Sequence, residues 1–138
     1  MNRRFWIGWL VVFVVMLASG YLVHSVILGP EYAALTNLFR PEEASEHFWV
    51  MILADVIMAG AFTWIYSRGV TAAPWAGQGL RFGIAIALLM SVPIYLTYGV
   101  VQPMPAGLVH KQMLLDSGRM IVLGLTIAAI YRSKPAPA

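Results

Sequence analysis

The sequence predicts an all-α integral membrane four-helix bundle, with both termini cytoplasmic and a short amphipathic helix on the outer surface. Three observations predict it. The 138 residues are 60% hydrophobic and 11% charged, with a mean hydropathy of +0.76. A soluble domain is about 45–50% apolar and about 25% charged, and so small a fold could not hide this much apolar surface from water. Four stretches reach the roughly 20 mostly apolar residues that a span needs: about Phe5–Leu28, Glu46–Ser67, Gly79–Val101 and Leu108–Tyr131. Runs such as Val11–Ala18 do not alternate, so helices satisfy the backbone here and barrel strands do not. The whole chain, 1–138, reads as one transmembrane domain.

The first span follows Arg3 and Arg4. A cleaved signal peptide is its rival reading, since Ala18-Ser19-Gly20 loosely suits a cleavage site. The apolar run is long for that purpose and continues past the small residues. Arg68 and Arg81 bracket the second connection, and Arg132 and Lys134 follow the fourth span. In an even-numbered bundle these regions share one side, which the positive-inside rule places in the cytoplasm. Trp6, Trp9, Trp64, Tyr66 and Tyr131 mark that boundary, and Trp49 and Tyr98 mark the other.

The first outer connection is the longest. Gly29-Pro30 stops the first helix, and Tyr32, Leu35, Leu38 and Phe39 then recur at helical spacing, which predicts the amphipathic surface helix. Pro41-Glu42-Glu43 reads as the start of the second helix, projecting above the bilayer. In the third helix Gly79, Gly83, Ala87 and Ser91 fall at successive i, i+4 positions. Such a stripe admits a close helix neighbour, either within the bundle or in a second copy. The turn Pro103-Met104-Pro105-Ala106-Gly107 is short and stiff, so the third and fourth helices should be antiparallel neighbours.

Polar groups in spans are costly and often functional. Asp55, Asp116 and Arg119 lie well inside, and Asp116 and Arg119 share a face at i, i+3. One arginine facing two carboxylates leaves a net negative charge unless a proton or a cation joins them. His24 lies near the outer end of the first span, and Tyr95 and Tyr98 extend the small-residue line outward. Pro93 leaves the Leu89 carbonyl without its usual donor. These groups predict a polar pocket or a closed network in the outer half. It serves helix register, a ligand or partner, or proton or ion movement.

Glu43 and His47, at i, i+4, form a weak metal-ligand candidate with His110, and His24 with a second histidine is a weak haem candidate. Neither has a diagnostic spacing. Cysteine is absent, which excludes thiol catalysis and thiolate metal sites. No H-E-x-x-H, G-x-S-x-G, Walker or dinucleotide motif occurs. The basic residues sit at helix ends and lack the pattern of a nucleic-acid site.

Together, Gly20-Tyr21-Leu22-Val23-His24, Met58-Ala59-Gly60-Ala61-Phe62-Thr63-Trp64-Ile65-Tyr66, Gly77-Gln78-Gly79-Leu80-Arg81-Phe82-Gly83 and Val101-Gln102-Pro103-Met104-Pro105 carry a resemblance over nearly the whole chain. The chain resembles a group of small bacterial four-helix inner-membrane proteins without established chemistry. The resemblance implies bacterial origin and the helix count, and it transfers no site. The first helix holds no acid, unlike that of the small multidrug transporters. The functional expectation is an accessory or small-ligand or lipid-binding subunit, alone with lipid, as a homo-oligomer or within a larger membrane complex. A proton-coupled transporter using the Asp/Arg cluster is the first alternative, and a membrane enzyme acting on lipid or quinone is the second.

Overall fold

In the computed structural model, residues 3–38 and 47–132 are described. All regular structure among them is helical. Helix α1 spans Arg3–Gly20 and continues as a π-helical segment, Tyr21–Ile27. Helix α2 is Gly29–Ala33, and α3 is Phe48–Arg68. Helix α4, Trp75–Ile86, runs through a second π-helical segment, Ala87–Ser91, into α5, Val92–Val101. Helix α6 is Ala106–Tyr131. Four continuous helices, Arg3–Ile27, Phe48–Arg68, Trp75–Val101 and Ala106–Tyr131, are long and apolar enough to cross a membrane.

Their limits differ from the expected ones where prolines act. Pro74 and Pro105 sit in extended conformation just before α4 and α6, with ψ of 127° and 131°. Each launches a helix slightly earlier than the apolar run begins. The two π segments also end against prolines. Leu28 N–H bonds the Val23 carbonyl, and Val92 N–H bonds the Ala87 carbonyl, both i to i−5. The widened turns come just before Pro30 and Pro93, whose missing N–H groups disrupt the normal ladder.

The amphipathic segment is shorter than expected. Only Gly29–Ala33 is α-helical, with turns over 36–38, and Phe39 and the Pro41-Glu42-Glu43 start lie outside the described residues. Its apolar side covers the bundle itself. Tyr32 and Leu35 pack on Val23, Leu28 and Leu108. Burying them against the protein's own helices satisfies the face that would otherwise need lipid.

Packing runs through α1 and α6. Trp9 Nε1 donates to the Val56 carbonyl at 2.9 Å and joins α1 to α3. Gly8 lies between Thr63, Ile127 and Tyr131. The small-residue stripe is used inside the bundle. A Cβ on Gly79 would stand 2.7 Å from the Gly124 carbonyl, and one on Gly83 would stand 2.6 Å from Ile121 Cα. Ala87 and Ser91 are buried along the same line. Since position 79 meets 124 and position 83 meets 121, α4 and α6 are antiparallel neighbours. The core joins Val12, Met16, Phe62, Leu123 and Ile127. Outward faces are apolar too, with Leu10, Trp49, Leu89, Val100 and Leu114 exposed. Water does not tolerate such a girdle over a whole molecule, whereas lipid does. Arg4, Arg68 and Arg132 fall at one end of the bundle, hereafter the basic end.

Candidate functional site

Toward the other end, the widened turn Tyr21–Ile27 carries His24 over α6. There His24 meets Asp116, which is buried. His24 Nε2 lies 3.3 Å from Asp116 Oδ1, and Nδ1 lies 2.8 Å from the Tyr32 hydroxyl. A bend at Leu28, just ahead of Gly29-Pro30, makes the second contact by bringing Tyr32 beside His24. Gln112 Nε2, one turn before Asp116, donates to the same hydroxyl at 3.0 Å. Burial pushes the Tyr32 phenol above its ordinary pKa.

Asp116 is filled as an acceptor. Tyr95, brought across from α5, donates its hydroxyl to Oδ2, and Arg119 donates Nη1 to Oδ1. Arg119 is anchored to α1 as well: Nε donates to Ser19 Oγ at 3.3 Å and Nη2 to the Met16 carbonyl at 3.1 Å. Gly20 provides the room, since a Cβ there would lie 2.9 Å from Arg119 Nη2. Arg119 Nη1 also stands 3.4 Å from His24 Nε2. A ring with its proton on Nε2 and its lone pair on Nδ1 suits both Asp116 and Tyr32.

Beside this network lies a cleft of about 350 Å³ between α3 and the α4–α5 helix. The two walls touch at Phe62 and Tyr66, which meet Phe82 edge-on at centroid distances of 4.8 and 5.1 Å. Beyond that contact they frame the cleft. Its floor carries Met16, Met120, Asp116 and Arg119, and His24 and Tyr95 border it. Its walls are mostly apolar, with Met58, Ile65, Leu89 and Ile94 also exposed on the outer flank of the bundle. Two polar side chains complete the lining, Asp55 on α3 and Ser91 in the second π segment. Among the described residues, neither side chain makes a hydrogen bond.

The structure thus brings His24, Tyr95, Asp116 and Arg119 into one network. It places Asp55 across the cleft, where it feels Arg119 through space without a direct bond. Tyr98 is exposed and stands apart, edge-on to Tyr95 at 6.4 Å. Of the metal candidates, Glu43 lies outside the described residues, while His47 and His110 are exposed. Among the described residues no three His, Cys, Asp or Glu side chains gather around a possible metal position. Both ring nitrogens of His24 face protein partners, which disfavours haem ligation there.

Sequence reasoning missed Tyr32, Gln112 and Ser19 as members of the network. The i, i+4 spacing of Gln112 and Asp116 was the available signal. Nothing local marked Tyr32 as a partner of His24, because that contact depends on the bend at Leu28. Comparison of the chain with family models, with curated proteins and with solved structures gave no match.

Proposed function

We propose that this chain crosses a bacterial inner membrane four times, with both termini cytoplasmic, and that its cleft binds a small amphiphile. On this reading it has no catalytic centre of its own and serves as a ligand-binding subunit of a membrane assembly. The carrying observation is the cleft, about 350 Å³ and mostly apolar, with Asp55, Ser91, Asp116 and Arg119 as polar points in its lining. That volume falls at the low end of the roughly 300–1,000 Å³ typical of small-molecule sites. Its exposed rim residues, Met58, Ile65, Leu89 and Ile94, lie on the apolar flank, so a membrane-dissolved molecule can enter sideways. The orientation rests on Arg3, Arg4, Arg68, Arg81 and Arg132 bordering the basic end.

Native mass spectrometry of the protein, extracted gently from its host membrane, tests the reading. The wild-type chain should retain a small organic mass, and Ala61→Trp, which fills the cleft wall, should lose it. Identical bare chains would refute it.

One observation favours proton-coupled transport as a second reading. The chain Tyr32–His24–Asp116 leads from the α2 segment to the cleft lining. Tyr32 and His24 can each donate and accept, as a relay requires. Proteoliposomes under a pH gradient should then show substrate flux that His24→Phe abolishes. Flux unchanged in that variant would remove this reading.

A further inference from the structure

We infer that the occupant of the cleft is a lipophilic amine, with its apolar body between α3 and α5 and its ammonium group between Asp55 and Ser91. The inference rests on the cleft reading and names the chemistry of its ligand.

Charge is the first argument. The lining of the cleft holds two carboxylates, Asp55 and Asp116, against the single guanidinium of Arg119. Arg119 spends its charge on Asp116, with which it forms a mostly buried ion pair. Among the described residues Asp55 has no direct partner, in largely apolar surroundings where an unbalanced carboxylate is costly. A proton or one cation restores neutrality, and an ammonium group beside Asp55 supplies the charge together with protons to share.

Hydrogen-bond capacity is the second argument. Asp55 and Ser91 line the cleft from different helices, and neither side chain bonds to protein among the described residues. An ionised carboxylate only accepts, and a serine hydroxyl has two lone pairs. A primary ammonium brings three donors, which is enough in number for both acceptors. Tyr95 and the engaged donors of Arg119 are already directed at Asp116, Ser19 and Met16.

The same inventory argues against other heads. A carboxylate or phosphate would face Asp55 with like charge. A metal cation of the calcium or magnesium type takes six or more oxygen ligands, whereas the walls here are methionine, leucine, isoleucine and phenylalanine. A zwitterionic lipid head would bring its phosphate beside Asp55. Among charged heads, a free amine carrying no anionic group is the one that this lining fits.

The test uses the full chain in phosphatidylcholine nanodiscs, titrated with dodecylamine, dodecanol and dodecanoic acid, with Ala61→Trp as the blank for partition into lipid. Saturable binding of the amine should exceed that of the alcohol on the order of tenfold to a hundredfold, the worth of one charge-assisted hydrogen bond. The acid should bind more weakly than either. Asp55→Asn should abolish the preference for the amine, and Ser91→Ala should reduce it. Equal binding of amine and alcohol, both lost in Ala61→Trp, would overturn the amine and leave the cleft reading intact. No saturable binding by any probe would overturn both. Phosphatidylethanolamine retained in mixed nanodiscs in preference to the amine would overturn the commitment to a free amine. If Asp55→Asn does not fold, the ranking of the three probes on the wild-type chain decides.

Discussion

Gly83→Ala tests how α4 and α6 are held together. The new methyl carbon would lie 2.6 Å from Ile121 Cα and 2.7 Å from the Met120 carbonyl oxygen. Non-bonded carbons rest at about 3.5–4.0 Å, so the two helices must part by roughly 1 Å or bend locally. Both atoms belong to the backbone of α6 and cannot swing aside as a side chain could. Overpacking of this kind costs about 1–3 kcal/mol. The control is Gly118→Ala on α6 itself, where a Cβ meets nothing within 4 Å. There the change removes only the poor helix propensity of glycine, so stability should hold or rise by up to about 1 kcal/mol. Equilibrium unfolding in mild detergent measures both variants against the wild type. Equal stability of Gly83→Ala and Gly118→Ala would refute the argument, because the close crossing would then not bear on stability.

Arg119→Met should destabilise by about 3–5 kcal/mol, because it strands a buried carboxylate. The double variant Arg119→Met with Asp116→Leu should recover much of that loss in the same unfolding assay. Tyr32 contributes a pH dependence. Burial raises its pKa above the ordinary value near 10.0, so its stabilising effect is complete below that pH and is lost as pH rises through the folded value. Thermal unfolding of Tyr32→Phe should therefore start below the wild type at neutral pH and converge with it above about pH 10; parallel curves would contradict this. Gln78 braces the loop before α4: its amide accepts from Thr71 N–H at 2.9 Å and donates to the Thr71 and Ala73 carbonyls at 3.1 and 2.6 Å. Gln78→Ala should speed proteolytic nicking between Gly69 and Pro74 with little change in global stability.

How much was legible follows from where the physics is local. The four helices could be read directly, because long apolar runs that do not alternate pair their own backbone groups as helices. The Gly79–Gly83 stripe and the Asp116–Arg119 pair were legible too, since each is defined by spacing along a single helix. The length of the surface segment was not. Whether Tyr32 and Leu35 face outward or onto their own bundle depends on the neighbours, Val23, Leu28 and Leu108, that the bend at Leu28 delivers.

The sequence by itself determined that this chain is helical, where each apolar helix lies and which charges those helices must accommodate. Only the tertiary structure decided how those charges are shared. Asp116 takes Arg119, Tyr95 and His24, while Asp55 lines the cleft without a direct bond among the described residues. The reason is that these helices are apolar nearly all round. A soluble amphipathic helix announces its inner face by a polar stripe on the other side, and here that contrast is missing. Which faces meet is set by glycine clearances on α1, α4 and α6, and by proline-widened turns at Tyr21–Ile27 and Ala87–Ser91. Those are properties of pairs of helices, and no single stretch of sequence contains them.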